Sequence, residues 1–403
     1  MPSGILRASI ALLLSLSLTG CIAPHPDRAK RLKAKQEAEA AQKSGAAAPS
    51  TTSTTGNTTP QPSSNADSAI PFLFPNPGPF KLVTDKDGNE LWQARGDLGK
   101  FGGSLNLGAF GDGPKTFNTW DASDVESHGI GLVQNASLVD IDPWTGKATP
   151  KLCKSVEVSD EGRVVTFILR KGLKWSDGHP LTADDVVFTY GTLIKDGWGE
   201  GSSRDTMCSA EGFPEIVKVD DLTVKFVYKT PFSPLLLNLN AIVVGPKHIL
   251  EPATQKGKDA FHPFWNVNAD PKTFVGSGPF IVSKYIPGQR VEFRRNPHYA
   301  MVDAQGRRLP YLDKITISIV KEQPQEILKF LGKEIDLLDV RSVRGMDAAH
   351  LRSKEKQIDF SLFSLGPDDG TVFLMFNMCQ RNRPKDGKPV SYTHLTLPTK
   401  RIV

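Results

Sequence analysis

The stretch from Arg163 to Ile194 constrains the fold of this chain more than any other. Residues 164–170 are rich in β-branched and aromatic side chains, which predicts a strand. The sequences KG and SDGHP follow, and both are typical of turns. Thr182 then predicts the start of a helix, because its hydroxyl can cap the first backbone N–H groups. The apolar residues after it recur at helical spacing: Val186, Val187, Tyr190, Leu193 and Ile194. The stretch therefore predicts a strand–turn–helix unit of an α/β domain.

The same stretch resembles the signature of the family 5 extracellular solute-binding proteins, which are the peptide, dipeptide and nickel receptors of bacterial ABC importers. The matching positions are Leu169, Arg170, Trp175, Ser176, Asp177, Gly178, Pro180, Thr182, Ala183, Asp184, Asp185, Val186 and Phe188. The resemblance implies an α/β, two-lobe periplasmic-binding-protein-like fold of type II, in the large peptide-binding subclass.

A second block, from Phe274 to Tyr299, resembles the family's Gly-Thr-Gly-Pro-Tyr and Arg-Asn-Pro-x-Tyr segments. The matching positions are Gly276, Ser277, Gly278, Pro279, Tyr285, Pro287, Gly288, Arg295, Asn296, Pro297 and Tyr299. In the family this block lies where the chain leaves the first lobe, so the resemblance implies a hinge at Gly276, Ser277 and Gly278. An ordinary β-hairpin with a glycine-rich lead-in is the alternative.

Residue patterns elsewhere predict further elements. The predicted strands are 102–110, 156–158, 222–228, 280–285, 290–294, 311–320 and 371–377, and helices are predicted from Gly245 onward and at 325–331. A further strand at 332–340 is implied by its resemblance to the family's Gly-x-Ile-Asp strand. Leu105 and Leu107 should share the buried face of the first of these strands, because alternate side chains lie on one side of a sheet.

The N-terminus predicts a lipoprotein. Arg7 precedes the apolar run ASIALLLSLSL, which is too short to span a bilayer and is typical of a signal peptide. The run ends in LTGC, which resembles a lipobox with Cys21 as the acylated residue; a chance tetrapeptide after an ordinary signal peptide is the alternative. Ile22 follows Cys21 where an aspartate would resemble an inner-membrane retention signal, which favours the outer membrane in a cell that has one.

These features predict five segments. Residues 1–21 form the signal peptide, and 22–70 form a tether that is too polar to bury a core. Residues 71–278 form lobe one and 279–390 the start of lobe two. Residues 391–403 match nothing in the family pattern and look non-native. We therefore expect the second lobe, and with it the fold, to be incomplete at the C-terminus.

The resemblance implies that a ligand binds in the cleft between the lobes. The loop after the first strand and the segment near residue 135 are the parts of this chain that we expect to line the cleft. They are Phe110, Phe117, Asn118, Trp120 and Asn135. Packing of the loop is the alternative interpretation for Asn118 and Trp120.

Neither catalysis nor metal binding is predicted. The sequence lacks the G-x-S-x-G, H-E-x-x-H and P-loop motifs. The adjacent carboxylates Asp184 and Asp185 point about 100° apart on a helix, so capping explains them better than a shared site. His179 is interpreted as a solvated turn residue. Cys153 and Cys208 could form a disulfide in an oxidising compartment, and free thiols are the alternative.

The predicted function is capture of peptides, or of a similar small solute, by lobe closure and delivery to the membrane subunits of an ABC permease. We expect a monomer in the periplasm or cell envelope, held to the membrane by its lipid anchor only and without a cofactor. Charges of both signs are interspersed and the net charge is only +5, which does not favour nucleic acid. A secreted lipid-anchored hydrolase, or a peptide or sensory receptor without transport, are the alternatives.

Overall fold

The computed structural model describes residues 80–95, 97–142, 146–199 and 201–338. They all belong to one of the two units into which the chain divides, and the second unit, residues 368–403, lies outside the described part. Outside it too are Cys21, the tether, the predicted strand 371–377 and the segment 391–403.

A four-stranded mixed sheet combines strands from distant parts of the sequence. Its strands are β3 (Ser104–Phe110), β10 (Phe280–Ile286), β11 (Arg290–Arg295) and β13 (Lys314–Val320). The order is β10-β11-β13-β3, antiparallel except for the parallel pair of β13 and β3. Leu105 and Leu107 of β3 are both buried, as their alternation predicted.

This sheet contains strands from both sides of the predicted lobe boundary at residue 278. The boundary stays a prediction, but backbone hydrogen bonding joins residues 280–320 to β3 of the predicted lobe one. Beyond β3, Leu337 forms a parallel bridge with Leu107, and the Asp336 N–H donates to the Asn106 carbonyl at 2.7 Å. The predicted strand at 332–340 is therefore reduced to a short pairing within its described residues.

The predicted strand–turn–helix unit belongs to a second four-stranded sheet, which is wholly antiparallel. Its strands are β6 (Cys153–Ser159), β7 (Val164–Leu169), β8 (Glu215–Lys218) and β9 (Thr223–Val227), in the order β6-β7-β9-β8. Strand β7 confirms the predicted strand of the signature. Strands β6 and β7 form an antiparallel hairpin with its turn at residues 159–162, and β6 begins earlier than the strand predicted at 156–158.

Two smaller sheets complete the described strands. One consists of β1 (Lys81–Thr84), β2 (Glu90–Gln93) and β12 (Met301–Val302), and the other of β4 (Val139–Ile141) and β5 (Ala148–Pro150). In the three-stranded sheet, β12 lies parallel to β2. Residues 301–302, which follow the hairpin of β10 and β11, are therefore paired with the start of the described chain.

Seven α-helices occur in the described residues. They are α1 (Val125–Gln134), α2 (Ala183–Phe188), α3 (Gly201–Met207), α4 (Leu235–Asn238), α5 (Lys247–Thr254), α6 (Lys258–Phe261) and α7 (Gln323–Leu331). Single 3₁₀ turns occur at Asp160–Gly162, Leu239–Ala241 and Pro271–Thr273.

Helix α2 begins as predicted but does not stay α-helical to its end. Thr182 caps it, and the Asp185 side chain accepts the N–H of Thr182 in return, which completes a capping box. The turn from Thr189 to Ile194 is π-helical. The hydroxyl of Thr189, the first residue of this turn, donates to the Asp185 carbonyl at 2.7 Å and accepts the N–H of Gly245 at 2.9 Å. Such side-chain bonds compete with the regular helix pattern.

One hydrophobic cluster runs through both four-stranded sheets in the described part of the chain. It includes Ile281, Phe293 and Ile315 from the mixed sheet and Phe167 and Phe226 from the antiparallel sheet. Both sheets therefore pack into one continuous core, which holds the ends of the parallel strands in fixed positions.

Candidate functional site

The carboxyl ends of β3 and β13 form the edge at which the fold favours a ligand. The two strands are parallel, and their last residues, Phe110 and Val320, are partners in the register. The Gly111 N–H donates to the Val320 carbonyl at 3.0 Å, so the two ends stay together. Ligands of α/β proteins bind outside the carboxyl ends of parallel strands. We call these ends, with the first turn of α1 and the whole of α7, the carboxyl edge.

The loop from β3 to α1 is held in place by close packing and by side chains at the start of α1. Gly111 has φ of 144°, and a side chain there would collide with the Glu126 carboxylate. Asp124 caps α1 by accepting the Ser127 N–H at 2.9 Å. The Ser127 hydroxyl in turn accepts the N–H groups of Lys115 at 2.9 Å and of residue 116 at 3.1 Å. The first turn of α1 therefore fixes the loop that borders the carboxyl edge.

Large apolar side chains are exposed at the carboxyl edge. Phe110 is 59% exposed, and Val125, the first residue of α1, is 85% exposed. Leu328 of α7 is 66% exposed, and α7 packs against both β3 and β13. An exposed aromatic side chain at a strand end offers a flat apolar surface to a ligand. Phe110 is thus the ligand-binding candidate that the structure places at the surface.

The candidates Phe117, Asn118 and Trp120 are buried and have partners inside the protein. Phe117 is 2% exposed and lies edge-on to Tyr285 at 5.3 Å between ring centroids. The Asn118 side-chain amide donates to the Phe261 carbonyl at 3.0 Å, and the Trp120 indole N–H donates to the carbonyl of residue 243 at 3.1 Å. For Asn118 and Trp120, these contacts agree with the alternative interpretation, which is packing of the loop. A ligand role for Phe117, Asn118 and Trp120 stays a prediction.

Asn135 and the predicted hinge meet at the far end of α1, away from Phe110. Asn135 is 3% exposed and bonds to the carbonyl of residue 131 within its own helix. The Ser277 hydroxyl accepts the N–H of residue 136 at 3.0 Å. A side chain at Gly276 or Gly278 would collide with the backbone at Gln134. Close packing therefore requires both glycines, and the hinge stays a prediction.

A cluster of three side chains at the SDGHP turn was missed by the sequence reasoning. His179 is exposed, as predicted, but it stacks on His248 with ring centroids 4.0 Å apart. His248 Nε2 lies 2.8 Å from Asp177 Oδ2. Burial opposes ionisation of Asp177, but hydrogen bonds from His248 and from the His179 N–H outweigh it and lower its pKa. Only tertiary contact brings residue 248 to this turn, so spacing could not reveal it.

The two described cysteines are free, which decides between the two alternatives for Cys153 and Cys208. Cys153 is fully buried, and burial raises the pKa of its thiol. Within the described ranges no group of His, Cys, Asp or Glu is arranged to hold a metal ion. None of the helices there combines the length and the hydropathy needed to cross a membrane.

Comparison with known proteins identifies the family to which this chain is similar. A model of the bacterial extracellular solute-binding proteins, family 5 Middle, matches residues 147–389. A probable ABC transporter-binding protein of Deinococcus radiodurans is 31% identical over 292 residues, which are 67% of this chain and 47% of that protein. A periplasmic alpha-galactoside-binding protein of Rhizobium meliloti is 30% identical over 193 residues, 46% of this chain and 27% of that protein.

Among solved structures, the oligopeptide-binding protein AppA of Bacillus subtilis, in complex with a nonapeptide, superposes with a TM-score of 0.52 at 27% identity. The match covers 64% of this chain and 46% of that chain. The chain thus spans about half the length, or less, of these relatives. The predicted α/β fold of the periplasmic peptide-binding type is confirmed by this likeness. The family is one of binding proteins, which agrees with the prediction that the chain is not an enzyme. The chain belongs to family 5 of the bacterial extracellular solute-binding proteins.

Proposed function

We propose that the whole protein is the substrate-binding subunit of an ABC importer and that it captures peptides at the carboxyl edge. The observation that carries this proposal is the exposed Phe110 at the end of two parallel strands within a family 5 fold. Extended peptides present both apolar side chains and backbone amides. Phe110 and Leu328 offer apolar surface to the former, and residues 112 and 113 of the loop offer backbone groups to the latter.

Transport follows from closure in this proposal. A second lobe closes over the ligand, because a ligand that contacts both lobes binds the closed form more tightly than the open form. The closed complex then delivers the peptide to the membrane subunits of the permease. Cys21 carries the lipid anchor, the protein acts as a monomer in the periplasm or cell envelope, and no cofactor takes part.

Ligand titration tests the proposal. Isothermal titration of the purified whole protein, with its second lobe complete, should give saturable binding of di- to nonapeptides and none of an α-galactoside such as melibiose. Binding of the galactoside but of no peptide would show that the substrate is a sugar and would overturn the peptide proposal. Binding of neither ligand would overturn it as well.

Substitution at the carboxyl edge tests the site itself. Phe110→Ala should weaken peptide binding roughly tenfold, since an aromatic contact of about 1.5 kcal/mol is lost. Phe101→Ala is the matched control, because Phe101 is 42% exposed and lies before the amino end of the same strand. Equal affinities of the two variants would contradict a ligand role for Phe110.

A further inference from the structure

A small cavity lies between three sheets, remote from the carboxyl edge. Its volume is about 20 Å³, and its walls come from the β2 region, the β5–β6 junction, the end of β7, the predicted hinge and the segment at Tyr299. The lining residues are Trp92, Ala136, Lys151, Leu152, Arg170, Leu173, Lys174, Leu181, Ser277, Tyr299, Ala300 and Met301. Three of them are cationic and none is acidic. Such a cavity has room for one water-sized particle.

Arg170 is the most deeply buried charged residue in the wall of this cavity. It is 3% exposed, and its guanidinium bonds to backbone carbonyls only. Nε donates to the Lys151 carbonyl at 3.0 Å, while Nη1 donates to the Ala300 carbonyl at 2.6 Å and to the Glu90 carbonyl at 3.4 Å. In the part of the chain that the structure describes, its hydrogen bonds come from Nε and Nη1, it has no ion pair within 4.0 Å, and its guanidinium carbon lies 5.9 Å from the centroid of the Trp92 ring. A buried charge without a counterion is unfavourable.

The neighbouring carboxylates are already engaged elsewhere. The Glu90 side chain binds the Lys154 ammonium at 3.0 Å and the Lys171 N–H at 2.8 Å. Asp140 binds the Lys151 ammonium at 3.0 Å. Neither carboxylate lines the cavity, so Glu90 attracts Arg170 only from a distance and no acidic side chain of the described residues faces its charge inside the cavity.

Further donors line the same cavity. Ser277 is 6% exposed, and its oxygen accepts the N–H of Ala136, so its own hydrogen remains available to a second partner. Lys174 also lines the cavity and is exposed to solvent, which gives an ion a route from outside. Convergent donors without a carboxylate are the chemistry that an anion requires.

We propose that this cavity binds one monatomic anion, chloride, between Arg170 Nη2 and the Ser277 hydroxyl. The volume excludes polyatomic anions such as phosphate or a peptide carboxylate. The ion supplies the counterion that Arg170 lacks and ties the predicted hinge segment to the end of β7. The site lies apart from the carboxyl edge and does not depend on the substrate proposed above.

Halide-dependent stability tests this proposal. The thermal midpoint of unfolding of the full chain should rise as chloride replaces gluconate at constant ionic strength. Gluconate is too large for the cavity, so raising the gluconate concentration alone should leave the midpoint unchanged. A rise with both salts, or with neither, would overturn the proposal. Crystals grown in bromide should show an anomalous peak beside Arg170, and a plain water at that position would also overturn it.

Substitution at the exposed lysine separates site binding from general salt effects. Lys174→Met should raise the apparent dissociation constant for chloride roughly fivefold, because an exposed ammonium at the cavity wall attracts the ion by up to about 1 kcal/mol. Lys171→Met is the matched control, because Lys171 is an exposed lysine of the same turn that does not line the cavity. The same loss in both variants would show a surface charge effect and contradict the site.

Discussion

The cap of helix α2 gives a stability prediction that the structure makes quantitative. Asp185 is 4% exposed, and its two carboxylate oxygens each accept one backbone N–H, from Thr182 at 2.9 Å and from Lys247 at 2.9 Å. Asp185→Ala leaves both donors without an acceptor in the protein. Each unsatisfied donor costs about 1–3 kcal/mol, and since both bonds are only partly buried we expect a total loss of about 3 kcal/mol.

The neighbouring aspartate is the matched control. Asp184 carries the same charge one residue away, but its side chain is 48% exposed and bonds to the Lys218 ammonium at 2.8 Å. Exposed ion pairs contribute about 0–1 kcal/mol, so Asp184→Ala should lower the free energy of unfolding by roughly 0.5 kcal/mol. Urea unfolding of both variants, followed by circular dichroism, measures the difference. Equal losses would refute the argument that the capping box and the Lys247 bond stabilise this helix.

The pH dependence of Asp185 gives a second measurement on the same residue. Burial raises its pKa above 3.8, although the hydrogen bonds from Thr182 and Lys247 oppose the shift. The folded protein therefore holds this proton at a higher pH than the unfolded chain. The resulting stabilisation is complete below pH 3.8 and is lost as pH rises through the folded pKa. The stability of the wild type relative to Asp185→Asn should fall over that window, and a flat difference would contradict the raised pKa.

Two further predictions follow from close packing and from burial. Gly278→Ala should destabilise the protein by about 2 kcal/mol, because the new methyl group would collide with the backbone at Gln134. At Gly129 there is open space, so Gly129→Ala should stabilise α1 by about 0.5–1 kcal/mol. Thermal unfolding compares them, and equal shifts would contradict the packing argument. Of the two described cysteines, Cys208 should react with iodoacetamide in the folded protein and Cys153 should not, since Cys153 is fully buried and burial raises its pKa. Peptide mapping by mass spectrometry reads this out, and alkylation of Cys153 without denaturant would contradict it.

The sequence by itself determined the local elements of this protein and its family. The strand at 164–169, the cap at Thr182 and the buried pair Leu105 and Leu107 were all predictable. These features depend on periodicity and on hydrogen bonds between residues a few positions apart, and such information is present in any short window of sequence.

Only the tertiary structure decided which residues meet across long separations. It buried Phe117, Asn118 and Trp120, which the sequence placed at a ligand, while it left Phe110 exposed. It also brought Arg170 to carbonyls at residues 90, 151 and 300 without a counterion. Burial and charge pairing depend on all the elements that pack around a side chain, and a pattern of neighbouring residues does not contain those contacts.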